Sequence, residues 1–106
     1  MESDAPAVVR ALDAGEALCL VEYPAFARDL SLVITGHVMS GISGPEFVAE
    51  LRSRLPHVPV LVLSSVLNSE REYLGIPRVT VSYTKSAEEL QRLAAQLIDR
   101  QQLRTA

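Results

Sequence analysis

Residues 31–44 constrain the fold of this chain more than any other stretch. They begin with an apolar run at residues 32–34, of the kind that forms a strand buried on both faces. A loop rich in glycine and serine follows, and a helix is predicted at residues 45–55 with Pro45 in its first turn. In open α/β sheets, ligands bind where such a strand ends. We therefore expect any functional site at this edge of the sheet.

The length and composition predict one small domain. We expect a flexible leader at residues 1–7 and a single domain at residues 8–103 of the 106 residues. The net charge of −3 lacks the basic excess of nucleic-acid-binding proteins, so no nucleic-acid partner is predicted. A single cysteine, Cys19, suits the cytoplasm because it cannot form an internal disulfide. No membrane span or signal peptide is predicted, since long apolar runs are absent and the first residues are acidic.

Strand-like and helix-like segments alternate along the chain. Strands are predicted at residues 8–11, 30–35, 58–63 and 78–83, and helices at residues 16–22, 45–55, 70–74 and 86–102. The last helix begins with a capping box in which Ser86 accepts from the Glu89 N–H. Residues 18–23 fit a strand as an alternative to the helix. This order predicts an α/β protein of the flavodoxin-like class, a three-layer α/β/α fold with four parallel strands.

The first half of the chain also resembles a known family. Residues 29–47 read DLSLVITGHVMSGISGPEF, which is similar to the pattern DLVITDxxMPGMSGxEF of bacterial response-regulator receiver domains. The resemblance extends from residue 8 to about residue 103 and implies a role in two-component signalling. Two positions depart from the pattern, because the phosphoacceptor aspartate falls on Gly36 and a proline falls on Ser40. Glycine cannot carry a phosphoryl group, so the resemblance implies a receiver without its reaction.

The resemblance further implies that the first strand–helix unit is missing. Only 35 residues precede Gly36, too few for two such units, so the acidic pair that holds Mg²⁺ in receivers has no counterpart. In the strand order 2-1-3-4-5 the missing strand is central. We therefore expect its two neighbours to pair directly, or another chain to supply the strand. That chain would be a second copy in a homodimer or a protein partner, such as a histidine kinase or a response regulator.

Two positions that contact the phosphoryl group in receivers keep a polar residue. The resemblance places Ser64 on the family's hydroxyl residue and Lys85 on its lysine. Alternatively, Ser64 only forms a turn at a strand end, and Lys85 is solvated or folds into the vacated pocket. The aromatic switch position falls on Ser82, whereas Tyr83 is expected on the opposite face. The predicted interaction surface consists of Ser82, Tyr83, Ser86 and Glu89.

The remaining reactive side chains predict no catalytic or metal site. His57 is expected on the surface and Cys19 in the core. His37 follows Gly36, but no acid or second histidine stands near it in the sequence to orient it. No carboxylate lies between residues 35 and 44, and the glycines lack phosphate-loop spacing, so no metal or cofactor is predicted.

These observations predict a phosphorylation-deficient pseudo-receiver, not an enzyme, that acts through protein contacts. One alternative is a receiver-like domain that binds a small anion near Gly36, Ser64 and Lys85, or is phosphorylated at a non-standard residue such as Ser64 or His37. A second alternative is a small flavodoxin-like enzyme, for which no nucleophile–base pair can be named.

Overall fold

A computed structural model describes residues 8–105, with side chains to residue 99. In this part of the chain the strands are β1 (Val33–Gly36), β2 (Val60–Leu63) and β3 (Val79–Ser82). The helices are α1 (Ala14–Val21), α2 (Pro24–Asp29), α3 (Gly44–Arg54), a 3₁₀ helix (Ser69–Tyr73) and α4 (Ala87–Thr105). No helix within residues 8–105 is both long enough and apolar enough to cross a membrane.

The sheet is parallel, with strand order β1-β2-β3. Strands β1 and β2 pair from Val33–Val60 at one end to Gly36–Leu63 at the other. Strands β2 and β3 pair over the same four residues of β2, from Val60–Val79 to Leu63–Ser82. Parallel strands joined by helical connections are the flavodoxin-like α/β architecture, which confirms the predicted fold class.

The predicted number of four strands was wrong, because residues 8–11 form no strand. Val8 and Val9 are 78% and 60% exposed. A strand needs a ladder partner, and in the receiver strand order the second strand pairs with a first strand that residues 8–105 do not contain. Without that neighbour, residues 8–11 have no ladder to join, and β1 forms an edge of the described sheet. The leader predicted at residues 1–7 lies outside the described residues.

One face of the sheet carries most of the core. Apolar residues at helical spacing in α3 are buried in the structure and consist of Phe47, Val48, Leu51 and, just beyond the helix, Leu55. Val48 packs with Val60 and Val62 of β2 and with Tyr73 of the 3₁₀ helix. The rest of the stripe packs against Val21 of α1 and against α2. The face therefore joins α1, α2, α3 and the 3₁₀ helix into one layer.

Helix α1 confirms the prediction of a helix at residues 16–22 and shows that the strand alternative at residues 18–23 was wrong. The Asp13 side chain caps the helix by accepting from the Glu16 N–H at 2.8 Å. Cys19 was predicted in the core, but it is exposed. Its position lies outside the i, i+3, i+4, i+7 stripe that faces the core, which consists of Ala14, Ala17, Leu18 and Val21.

The opposite face of the sheet is covered less completely. Leu61 is fully buried there, and Ser82 on the same face lies beside the first turns of α4. The predicted cap is present, because the Ser86 hydroxyl accepts from the Glu89 N–H at 3.3 Å. Ile34 shares this face at the edge strand and is 53% exposed. Helix α4 therefore leaves the β1 side of this face open.

The amino ends of the strands are tied together by Arg52 of α3. Its guanidinium donates to the carbonyls of Leu55 and Val58 at 2.5 and 2.7 Å, and to those of Pro77 and Arg78 at 3.0 and 3.1 Å. Burial, and then the nearby charge of Arg78, lower the pKa of the Arg52 guanidinium. The planar fork of arginine suits several carbonyls at once, so one side chain joins the end of α3 to the starts of β2 and β3.

Candidate functional site

The carboxyl edge of the sheet brings together the positions that the sequence singles out. Gly36 ends β1 in register with Leu63, and Ser64 follows directly after β2. The ladder continues past both strands, because the His37 N–H donates to the Leu63 carbonyl and the Ser64 N–H to the Ser82 carbonyl. This edge is where an α/β sheet of this class binds ligands. Gly36 offers no side chain for chemistry at this edge.

The Ser64 hydroxyl is engaged within its own loop. It accepts from the Val66 N–H at 2.9 Å, lies 3.3 Å from the Val66 carbonyl oxygen, and is 2.6 Å from the Ser69 hydroxyl. These contacts fit the turn-forming alternative, in which a serine at a strand end bonds to nearby backbone groups.

A chain of hydroxyl groups continues from Ser64 to β3. Buried Ser69 lies 3.4 Å from the Tyr83 hydroxyl, which accepts from the Glu70 N–H and donates to the Glu70 carboxylate. The bond from Tyr83, and then its own N–H, lower the pKa of the Glu70 carboxyl. Tyr83 thus connects to Ser64 through Ser69, on the sheet face away from Ser82. The network attaches the 3₁₀ helix to the end of β3.

Lys85 and the predicted interaction surface are spread around the end of β3 and the start of α4. Lys85 is exposed, and within residues 8–99 no carboxylate lies within 4.0 Å of its ammonium group. Ser82 and Glu89 line a shallow groove of about 220 Å³ between β3 and α4, together with Thr84, Arg92, Leu93 and Gln96. Ser86 serves as the cap of α4. The four residues of that surface are therefore divided among a groove, a cap and the hydroxyl chain.

Sequence reasoning missed the partners of His37. Its ring is 9% exposed, with Nδ1 2.7 Å from the Tyr73 hydroxyl and Nε2 3.4 Å from the Glu72 carboxylate. Burial, and then Glu72, raise the pKa of Tyr73 to about 12, so this phenol keeps its proton at neutral pH and can donate to Nδ1. Both ring nitrogens therefore have partners. No sequence signal could reveal them, since Tyr73 lies 36 positions away and belongs to another element.

Gly44 makes this contact possible. A Cβ atom at this position would collide with the Tyr73 hydroxyl and lie 2.6 Å from the His37 carbonyl oxygen. The Ser43 hydroxyl accepts from the Glu46 N–H at 3.2 Å and caps α3 at the same point. We call the contact of His37, Gly44, Glu72 and Tyr73 the histidine clasp. It fixes the loop after β1 against the 3₁₀ helix.

The described residues offer no metal site at this edge. Among residues 8–99, no group of three His, Cys, Asp or Glu side chains is placed to hold a metal ion. Neither glycine nor the engaged hydroxyl of Ser64 resembles the carboxylate that forms an acyl phosphate. His57, expected on the surface, is exposed.

Comparison with known proteins agrees with this architecture. Neither a family model nor a curated protein matches the sequence. Among solved structures, the chain is similar to the receiver domain of the Francisella response regulator 1452, with a TM-score of 0.64 and 22% sequence identity. The match covers 85% of this chain and 74% of the other. The chain therefore has the fold of a response-regulator receiver domain.

Proposed function

We propose that this chain is a phosphorylation-deficient pseudo-receiver that acts as a protein-interaction module in two-component, phosphorelay signal transduction. The observation that carries the proposal is Gly36 at the carboxyl end of β1, in a fold similar to a receiver domain. Receiver phosphorylation needs a carboxylate nucleophile and a divalent ion at this edge. Without that carboxylate, such a domain would work through binding rather than through catalysis.

The proposed partners are proteins of the same pathway, such as a histidine kinase or a response regulator, or a second copy of this chain in a homodimer. No strand within residues 8–105 pairs with the outer edge of β1, which supports contact with another chain because receivers place a strand there. The single cysteine and the net charge of −3 support a cytoplasmic protein that binds neither membranes nor nucleic acids.

The contacts argue against phosphorylation at a non-standard residue. The Ser64 hydroxyl is occupied by its turn and by Ser69, and both nitrogens of His37 lie within the histidine clasp. An anion site at this edge would need the Lys85 ammonium, which is solvated. A flavodoxin-like enzyme would need an accessible nucleophile next to a base. The hydroxyl that contacts the His37 ring belongs to buried Tyr73, whose pKa is raised to about 12, which argues against a nucleophile there.

Intact-mass measurement after incubation with Mg²⁺ and acetyl phosphate tests the proposal. We expect the chain to stay unmodified while a receiver domain that retains its aspartate gains one phosphoryl group in the same reaction. A stoichiometric adduct would refute the proposal. Loss of that adduct in Ser64→Ala or His37→Gln would then identify the modified residue.

Thermal melting provides a second test, directed at ligands rather than at covalent modification. We expect inorganic phosphate, acetyl phosphate and nucleotides to leave the melting temperature unchanged. A saturable increase that disappears in Lys85→Ala would support the anion-binding alternative instead.

A further inference from the structure

The outer edge of β1 presents main-chain hydrogen-bonding groups in a regular pattern. The N–H groups of Val33 and His37 donate to carbonyls at the edge of β2. Because successive residues of a strand point their main-chain groups to alternate sides, Ile34 and Gly36 direct theirs away from β2. Leu32 lies two positions before Ile34, so its main-chain N–H and carbonyl also point away from β2. Within residues 8–105, no strand pairs with this side of β1.

This edge lacks the features that keep strand edges from pairing. Residues 30–36 contain no charged residue and no proline, and Ile34 is 53% exposed. Natural edge strands are normally protected by charges, proline, bulges or a covering element. The β1 edge is therefore suited to pairing with another strand.

The β1 edge is also complementary to itself. In an antiparallel pair centred on Ile34, that residue exchanges both main-chain hydrogen bonds with Ile34 of the second copy, and Leu32 does so with Gly36 of the second copy. The two exposed isoleucine side chains then lie side by side. Gly36 has no side chain to obstruct Leu32 of the second copy. The uncharged segment brings no like charges together, which favours a second copy over a charged partner strand.

We propose that two copies of this chain associate through antiparallel β1–β1 pairing about a two-fold axis at Ile34, which extends the sheet across the dimer. This inference deepens the homodimer part of the proposed function and rests on it. The interface is isologous, as in most dimers of identical chains. Pairing of short edge strands lies at the low end of specific interfaces, below about 1,200 Å², so the dimer should dissociate on dilution.

Light scattering across a dilution series compares the wild type with two lysine variants. Ile34→Lys places two ammonium groups next to each other at the axis and should make the chain monomeric at every concentration at which the wild type is a dimer. Leu74→Lys, at a position 81% exposed, is the matched control and should leave the dimer intact. Circular dichroism establishes that both variants remain folded.

Cysteine cross-linking tests the register, in a background where Cys19→Ser removes the free thiol. Ile34→Cys should cross-link to itself under mild oxidation. Leu32→Cys and Gly36→Cys should cross-link to each other when mixed and not to themselves. A Cβ at Gly36 has room, with its nearest contact at 3.5 Å. Leu74→Cys should stay monomeric under reducing and oxidising electrophoresis.

Each outcome decides the inference. A wild type that is monomeric at high micromolar concentration overturns it, as does a dimer that persists in Ile34→Lys without cross-linking at Ile34→Cys. Cross-linking of Leu32→Cys to itself would also overturn it, since that result requires another register. None of these results bears on phosphorylation, which the intact-mass measurement decides separately, so failure of the dimer leaves that part of the proposed function standing.

Discussion

Replacement of Gly44 by alanine tests the histidine clasp, which holds the loop after β1. The added Cβ would collide with the Tyr73 hydroxyl and lie 2.6 Å from the His37 carbonyl oxygen. The carbonyl is main-chain, so the loop or the 3₁₀ helix has to move. Movement of either element breaks the 2.7 Å contact between His37 and Tyr73.

The expected cost follows from three contributions. Overpacking of a tight site costs about 1–3 kcal/mol. Loss of the His37–Tyr73 hydrogen bond adds about 1 kcal/mol. Alanine favours the helix over glycine by up to about 1 kcal/mol, which offsets part of the loss. We therefore expect Gly44→Ala to lower the free energy of unfolding by about 1–3 kcal/mol.

Urea denaturation followed by circular dichroism measures this change. Gly75→Ala is the matched control, because no atom lies within 4 Å of its added Cβ, and it should stay within about 0.5 kcal/mol of the wild type. In a Tyr73→Phe background the hydroxyl is absent, so Gly44→Ala should cost less than in the wild type. Equal effects at Gly44 and Gly75, or a cost unchanged by Tyr73→Phe, would refute the clasp.

Three further predictions concern contacts elsewhere in the fold. Arg52→Ala should lower the free energy of unfolding, measured in urea, by about 1–3 kcal/mol because several carbonyls lose their shared donor. Arg54→Ala is the control, since it breaks only exposed ion pairs and should barely change the urea midpoint. Equal effects of the two substitutions would contradict this account of Arg52. Absorbance titration should show one tyrosine ionising near pH 12, and Tyr73→Phe should remove it. Because the pKa of Tyr73 is raised in the folded state, the associated stabilisation is present below about pH 10 and is lost as the pH rises through the folded-state pKa. If all tyrosines ionise together, burial does not raise the pKa of Tyr73. The hydrogen bond from the Tyr83 hydroxyl lowers the pKa of the Glu70 carboxyl. The stabilisation from this hydrogen bond is therefore present above pH 4.5 and is lost as the pH falls through the lowered pKa. The gap in urea midpoint between wild type and Tyr83→Phe should therefore shrink below pH 4.5, and a constant gap would contradict this assignment.

The sequence predicted the parts of the fold whose pattern is local. The helix at residues 45–55 and the cap at Ser86 depend on residues three or four positions apart, and the structure contains them. The alternation of strands and helices was sufficient for the fold class. The strand predicted at residues 8–11 was wrong because strand formation depends on a neighbour, and residues 8–105 contain no strand that pairs with this segment.

The candidate site was predictable in position but not in its contacts. The resemblance to receivers placed Gly36 and Ser64 at one edge, where the structure has them. The partners of His37 come from the 3₁₀ helix, and buried Ser69 connects Ser64 to Tyr83. Such contacts arise from packing between elements distant in sequence, and no spacing rule predicts them. The burial of Cys19 was equally hard to predict, because adjacent residues of a helix point in different directions and Leu18 faces the core whereas Cys19 faces solvent.

Beryllofluoride provides the most direct test of the central claim, since with Mg²⁺ it forms an acyl-phosphate mimic on a receiver aspartate. Two-dimensional NMR of the ¹⁵N-labelled chain should be recorded before and after its addition. The account predicts unchanged amide signals for Gly36, Ser64 and Lys85, because Gly36 offers no carboxylate at the end of β1 and the described residues contain no group of three potential metal ligands. Saturable shifts at these three amides would contradict it and would show that the edge still binds a phosphoryl group.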